Sequence, residues 1–319
     1  MPYKFEKMMP FFSVIIPLYN KEDHIKGTIK SVLNQEFKDF EVIIVNDGST
    51  DESLKKIETL IDNRFKIINQ DNQGVSHARN IGIAESKGSY IALLDADDFW
   101  YENHLSDLKK LIKRFPEAGL FCNNYEISYN NKLIKPATFN FEYNNYPMII
   151  KDYFKSSIIN SIAWTSSVAF TKESFIRIGK FNLKLRTGQD IDLWIRYALK
   201  YAIAFSPKIS MRYHNFDINS LSKTEYNYER YNLVNNYAEE EETNNSLKKY
   251  LDINRYAIAI RCFLNNEKTL YKKLKKEIDY KNLNSKQRIL LMLPKPILIT
   301  IKWFQKILID KKIYLTAYK

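Results

Sequence analysis

Two cysteines among 319 residues are too few for a disulfide framework, and Cys122 and Cys262 lie far apart without the spacing of a metal knuckle. That scarcity points to a reducing compartment. Glycine is also scarce, at eight residues, and neither G-x-G-x-x-G nor G-x-x-x-x-G-K-[ST] occurs, which removes the dinucleotide fingerprint and the phosphate-cradling P-loop. The opening MPYKFEKMMPFF lacks the continuous apolar core of a secretory leader, so the chain is read as unexported. No uninterrupted apolar run reaches the roughly 18 residues that span a bilayer.

What is present is a positive surplus, net +12, spread unevenly. Residues 243–319 carry 18 Lys and Arg against 5 Asp and Glu, whereas residues 1–242 hold 31 against 32. The two parts should therefore meet different partners. No nucleic-acid-binding module accompanies the basic part, so no nucleic-acid partner is expected. The 45% hydrophobic content is that of a globular protein, and the length suits one large α/β domain with an appendage.

Phe12-Ser13-Val14-Ile15-Ile16-Pro17 is short, β-branched and closed by proline, which predicts a buried strand. Residues 23–35 place Ile25, Ile29, Val32 and Leu33 at helical spacing. Glu41–Val45 predicts a second strand, followed by the turn Asn46–Asp51 and a helix to about Ile61. Phe65–Asn69 as strand, 75–87 as helix and Ser89–Leu94 as strand complete an alternation that predicts a parallel, doubly wound sheet.

Such sheets bind ligands beyond the carboxyl ends of their strands. Here those ends are Pro17-Leu18-Tyr19-Asn20, Asn46-Asp47-Gly48-Ser49 and Asp95-Ala96-Asp97-Asp98. Clustered carboxylates repel one another and lose hydration unless a cation neutralises them, and hard oxygen donors suit Mg²⁺ or Mn²⁺. On its own the cluster reads equally as a strand-end turn with helix-capping acids.

Four ordered stretches go further: SVIIPLYN (13–20), VNDGSTD (45–51), GVSHARNIGI (74–83) and LLDADD (93–98). Together they resemble family 2 glycosyltransferases with the GT-A fold, closely over residues 11–125 and more loosely to about residue 222. The resemblance implies an α/β GT-A architecture, Rossmann-like, with a mostly parallel mixed sheet flanked by helices. It implies that Pro17, Tyr19 and Asn20 line a base pocket, with the Tyr19 ring against a uracil. It implies further that Asp47 accepts from the pyrimidine N–H and that Arg79 offsets diphosphate charge. Asp95 and Asp97, flanking Ala96, match the D-x-D acids beside the ribose and on Mn²⁺ or Mg²⁺, with Asp98 a further candidate ligand. Outside the resemblance, Tyr19 and Arg79 read as a core aromatic and a surface ion-pair partner, and Asp47 as a turn former.

Sugar transfer from a nucleotide diphosphate needs a group to take the acceptor's proton. TGQDIDLWIR (187–196) resembles the family's G-E-D-x-D-L-W segment, whose first Asp is the general base; that residue is Asp190 here. Gln189 stands where the family commonly has Glu. Asp192 is the rival base, and in a helix's first turn it also simply favours the macrodipole; Trp194 reads as core. Met211–Asn215 with Asn219–Ser222 resembles the family's Y-R-x-H…S-x-S ending, which makes His214 a candidate near metal or diphosphate and its following loop a candidate lid.

Beyond Glu239–Glu242 the pattern turns helical over 247–280. The stretch 288–309 sets Ile297, Ile301, Phe304 and Leu308 on one face, with Trp303, Lys302 and Lys306 interleaved, as an interfacial membrane helix needs. A helical hairpin packed on the catalytic domain or on a second subunit is the alternative, and the oligomeric state is not legible. The expectation is thus a catalytic domain over 1–222, with donor half 11–125 and acceptor half 126–222, and a basic helical segment over 223–319. Its activity would be inverting, metal-dependent transfer of one sugar from a nucleotide-sugar, with UDP the leading base, since the Q-x-x-R-W motif and membrane spans of processive synthases are absent. The acceptor would be a glycan or lipid-linked oligosaccharide in surface-polysaccharide synthesis, met at the cytoplasmic face of the membrane. A nucleotidyltransferase and a non-catalytic sugar-nucleotide or membrane-binding protein are the other classes that fit.

Overall fold

Val- and Ile-rich runs bury both faces of a strand only when helices cover the sheet, and the amphipathic segments between them supply that cover. The computed structural model describes residues 9–130, 133–215 and 224–318. The first elements are β1 (Phe12–Leu18), α1 (Ile25–Leu33), β2 (Phe40–Asp47), β3 (Phe65–Gln70), α2 (Val75–Ala84) and β4 (Tyr90–Leu93). Next come β5 (Phe99–Trp100), α3 (His104–Arg114), β6 (Leu120–Asn130), β7 (Leu133–Pro136), β8 (Met148–Ile149) and α4 (Tyr153–Ser156). They are followed by β9 (Val168–Thr171), α5 (Lys172–Arg177), α6 (Gln189–Lys200) and β10 (Ile203–His214). The C-terminal helices are α7 (Asn227–Asn235), α8 (Ala238–Thr243), α9 (Asn245–Leu264), α10 (Lys268–Glu277), α11 (Ser285–Met292) and α12 (Lys295–Asp310).

The described strands form one mixed sheet in the order β3-β2-β1-β4-β9-β6-β10-β5, with β7 beside β6 and β8 beside β10. The first four pair in parallel, and β9 runs antiparallel to both β4 and β6. Register aligns the functional ends: Leu18 pairs with Asn46, and Ile15 with Leu93, so Asp95 follows at the level of Pro17. Helix α2 lies tight on this sheet because Gly82 has no side chain; a Cβ there would stand 2.5 Å from Ile15 Cγ2.

The helix expected from Asp51 to Ile61 is instead a series of turns with one 3₁₀ turn at Glu58–Leu60. Its opening is staked to the loop after β1: Asp51 accepts from the Glu22 and Ser53 N–H groups at 3.0 Å each, and Ser53 Oγ accepts from Lys21 N–H at 2.8 Å. Local side-chain bonds of this kind compete with the helical ladder. The helix expected over 75–87 stops at Ala84, where Glu41 and Ser13 capture the N–H groups of Lys87 and Gly88. The pattern over 247–280 breaks at Asn266, whose φ of 63° is left-handed.

The basic segment is no loose appendage. Leu247, Leu251 and Ala259 of α9 are fully buried and belong to the same core cluster as the sheet. Helix α12 behaves otherwise: Leu298 is buried, but Trp303 is 58% and Phe304 53% exposed, with Ile297 and Ile301 exposed beside them. An Asn130 to Asp310 hydrogen bond of 3.2 Å and the Tyr129–Tyr314 ring contact tie its far end to β6.

Candidate functional site

A cleft of about 690 Å³ opens where β1, β2 and β4 end, and is closed opposite by α6, α7 and α9. Pro17, Tyr19, Asp47, Arg79, Asp95, Ala96, Asp97 and Asp190 all line it. Tyr19 is 47% exposed, its ring free to meet a flat ligand. Asn20 does something else: at φ 48° its side-chain oxygen accepts from Thr50 N–H at 2.8 Å, which fastens the first strand-end loop to the second.

Asp47 is buried, accepting from Gln70 Nε2 at 2.6 Å and from the N–H groups of Gln73 and Gly74 at 2.8 Å each. It thereby orders the loop that leads into α2. A carboxylate has about four acceptor positions, so three bonds leave capacity for one more donor.

The acid cluster is pinned as a turn by Thr28, whose hydroxyl donates to the carbonyls of Ala96 and Asp98 at 2.9 and 2.8 Å. Within that turn the three acids part company. Asp95 accepts from Arg79 Nη2 at 2.5 Å, and Asp97 pairs with Lys21 Nζ at 2.7 Å. Asp98 is turned into the core, accepting from Ser166 Oγ at 2.6 Å and His214 N–H at 3.2 Å. Burial, then repulsion from Asp97 and Asp95, holds its carboxyl well above the usual range.

Arg79 is only 3% exposed, and its Nε and Nη1 find no hydrogen-bond partner among the described residues. Buried guanidinium donors without acceptors are costly, and this guanidinium also lies over the Phe181 ring, 5.2 Å from its centroid. Asp190 stands across from it in the first turn of α6, after Gly188 at φ 73°. Protein surrounding Asp190 pushes its carboxyl upward, and the Arg79 charge opposes that rise. The rival Asp192 is buried and committed, accepting from Arg196 Nη2 at 2.6 Å and Tyr237 OH at 2.8 Å. Trp194 is buried as expected.

His214 ends β10 beside the acid turn, with Nδ1 2.6 Å from the Asp97 carbonyl. A carbonyl only accepts, so Nδ1 carries a proton and Nε2 is the nitrogen that a metal would use. Asp97 and His214 thus offer one hard oxygen and one imidazole nitrogen, and the ammonium of Lys21 already stands as a cation against Asp97. Among the described residues no group of three or more His, Cys, Asp or Glu could hold a metal, so a cation here would need ligand oxygens from a bound diphosphate. Asn219–Ser222 and the loop expected to order over the donor lie outside the described residues.

Several contributors had no sequence signal. Ser166 accepts from Asp95 N–H at 3.0 Å besides donating to Asp98, so it holds two acids from 71 and 68 residues away. Arg230 of α7 and Tyr250 and Arg261 of α9 line the cleft although they belong to the basic segment. Gln189 lines it too, with its buried Oε1 lacking a partner among the described residues.

The family model described as Glycosyl transferase family 2 matches residues 13–179. An uncharacterized glycosyltransferase of Rickettsia bellii is 34% identical over 189 residues, 57% of this chain and 26% of the relative. The putative glycosyltransferase EpsH of Bacillus subtilis is 44% identical over 124 residues, 38% of this chain and 36% of the relative. The chain spans 26 to 31% of the length of the first three relatives. Among solved structures, residues 1–349 of S. aureus TarS in complex with UDP-GlcNAc superpose with a TM-score of 0.66 at 18% identity, over 85% of this chain and 82% of that one. At that identity the likeness speaks for the fold.

Proposed function

This chain belongs to glycosyl transferase family 2, with the α/β GT-A architecture, and from that premise we propose that it moves one sugar from a UDP-sugar to an acceptor hydroxyl with inversion. The observation that carries the reading is the cleft itself: Tyr19, Asp47, Arg79, Asp95 and Asp190 line one cavity beyond the carboxyl ends of the parallel strands, with the Arg79 guanidinium held beside Asp95. A uridine diphosphate fits these groups. Its base meets Tyr19 and the remaining acceptor capacity of Asp47, its ribose lies by Asp95, and its diphosphate meets the Arg79 charge. The TarS fragment bound to UDP-GlcNAc supports UDP as the nucleotide.

Asp190 deprotonates the acceptor hydroxyl as that oxygen attacks the anomeric carbon, and the bond from that carbon to the diphosphate breaks on the opposite face. Its raised pKa strengthens it as a base, because a carboxylate that holds a proton more tightly accepts one more readily. We assign Mn²⁺ or Mg²⁺ to Asp97 with His214; when bound, the ion supplies charge neutralisation to the departing diphosphate. Asp98, turned inward, holds the turn.

The exposed apolar face of α12, bordered by lysines, supports attachment to the cytoplasmic face of a membrane and hence a lipid-linked acceptor. Among the described residues no helix is long and apolar enough to cross a membrane, so attachment would be peripheral.

A thermal-shift panel of UDP, GDP and dTDP and their sugars, with and without Mn²⁺, tests the donor site. UDP compounds should raise the melting temperature most, and more with Mn²⁺. Stabilisation by none of them overturns the reading.

A further inference from the structure

Among the described residues three glutamines are buried, and two of them serve the fold. Gln35 Oε1 accepts from Leu105 N–H at 2.9 Å while its Nε2 donates to the carbonyls of Ser31 and Tyr101 at 3.0 and 2.8 Å, which ties α1 to the start of α3. Gln287 Oε1 accepts from Asn284 N–H at 3.0 Å and completes the capping box that opens α11. Gln189 differs. It is 6% exposed, and its buried Oε1 has no donor among the described residues.

That residue is the first of α6, directly before Asp190, and both side chains line the cleft. Asp192, two positions on, spends its carboxylate on Arg196 and Tyr237 within the protein; Gln189 Oε1 spends nothing. A carbonyl oxygen buried without a donor costs about 1–3 kcal/mol. The last torsion of a glutamine side chain is soft, so the amide can turn its oxygen to a donor that enters the cleft. The missing group is thus a hydrogen-bond donor arriving beside the base.

Resting on the assignment of Asp190 as the base, we propose that Gln189 binds the acceptor sugar, its Oε1 accepting from the hydroxyl next to the one that Asp190 deprotonates. Consecutive side chains at the start of a helix reach the same part of the cleft, and the vicinal hydroxyl is the acceptor group nearest the attacking oxygen. Gln189 therefore fixes the ring relative to the base and selects acceptors that carry a hydroxyl at that place. A site that pairs with a hydroxyl discriminates against the analogue lacking it, because the protein group is then left unpaired.

The test follows labelled sugar transfer from UDP-sugars to increasing amounts of membrane lipid extract. Gln189→Met, which keeps the length of the side chain and removes its polar end, should raise the amount of extract needed for half-maximal transfer about tenfold. Its UDP affinity by calorimetry should equal that of the native chain, and Gln189→Glu, which restores an accepting oxygen, should recover most of the loss. The ligand-free Gln189→Met chain should melt at the native temperature or above, because no unpaired oxygen is left buried. A lower melting temperature would show that the amide serves the fold, weakened UDP binding that it serves the donor, and an unchanged dependence on extract that it meets no acceptor; each overturns the proposal. Near-native transfer by Asp190→Asn would instead defeat the base assignment. Absence of transfer by the native chain would defeat the functional reading, and the melting comparison would still report on Gln189.

Discussion

Arg79 lines the cleft beside Asp95, where a bound diphosphate would meet its positive charge, so Arg79→Gln should cost UDP about 1.5–3 kcal/mol, roughly tenfold to a hundredfold in affinity by calorimetry. The acid turn separates by the same reasoning. Asp97→Asn should abolish the Mn²⁺ enhancement of UDP binding, whereas Asp98→Asn, whose partners are Ser166 and a backbone N–H, should keep it. As the proposed base Asp190 would act deprotonated, and its pKa is raised by burial, so activity should fall on the acid side at a higher pH than an exposed aspartate would give. The stability sign follows from the same shift. A raised folded pKa means that this group's contribution is full below its unfolded pKa and is lost as pH rises through the folded one. At neutral pH Asp190→Asn should therefore melt at the same temperature or higher, measured across a pH series. Asp95, Asp97 and Asp190 were legible because they sit in ordered motifs; Ser166 was not, because its bonds to Asp95 and Asp98 cross about 70 residues and leave no local pattern.

Helix α12 presents Trp303 and Phe304 to solvent while Leu298 anchors it, so substitutions on that face can be read without unfolding the core. Trp303→Glu with Phe304→Glu should reduce co-sedimentation with anionic vesicles and leave UDP binding intact. Vesicle binding by the native chain should weaken with salt, since surface lysines contribute about 1 kcal/mol each to anionic lipid. The strands and α1 to α4 regions of the sequence differ in how readable they are. Each of β1, β2 and β4 is a short apolar run bounded by turn residues, and α1 has clean helical spacing, so their order was evident. The turns after Asp51 were misread as a helix because Leu54, Ile57 and Ile61 keep helical spacing while Asp51 and Ser53 bond to the neighbouring loop instead.

At the scale of the whole molecule, the charge asymmetry marked two parts, but not that α9 would share the sheet's core and supply the far wall of the cleft. Composition records charge per segment, whereas the closing of a cleft brings together residues such as Asp190 and Tyr250, 60 positions apart. The strand ends after β1, β2 and β4, Asp190 of α6 and the basic helices α7 and α9 meet around one cleft. The base assignment joins these parts, and its most direct test is labelled sugar transfer from a UDP-sugar panel to membrane lipid extract by the native chain and by Asp190→Asn. The substitution should lower transfer roughly 10²–10⁴-fold with UDP affinity unchanged; transfer at a near-native rate would contradict it.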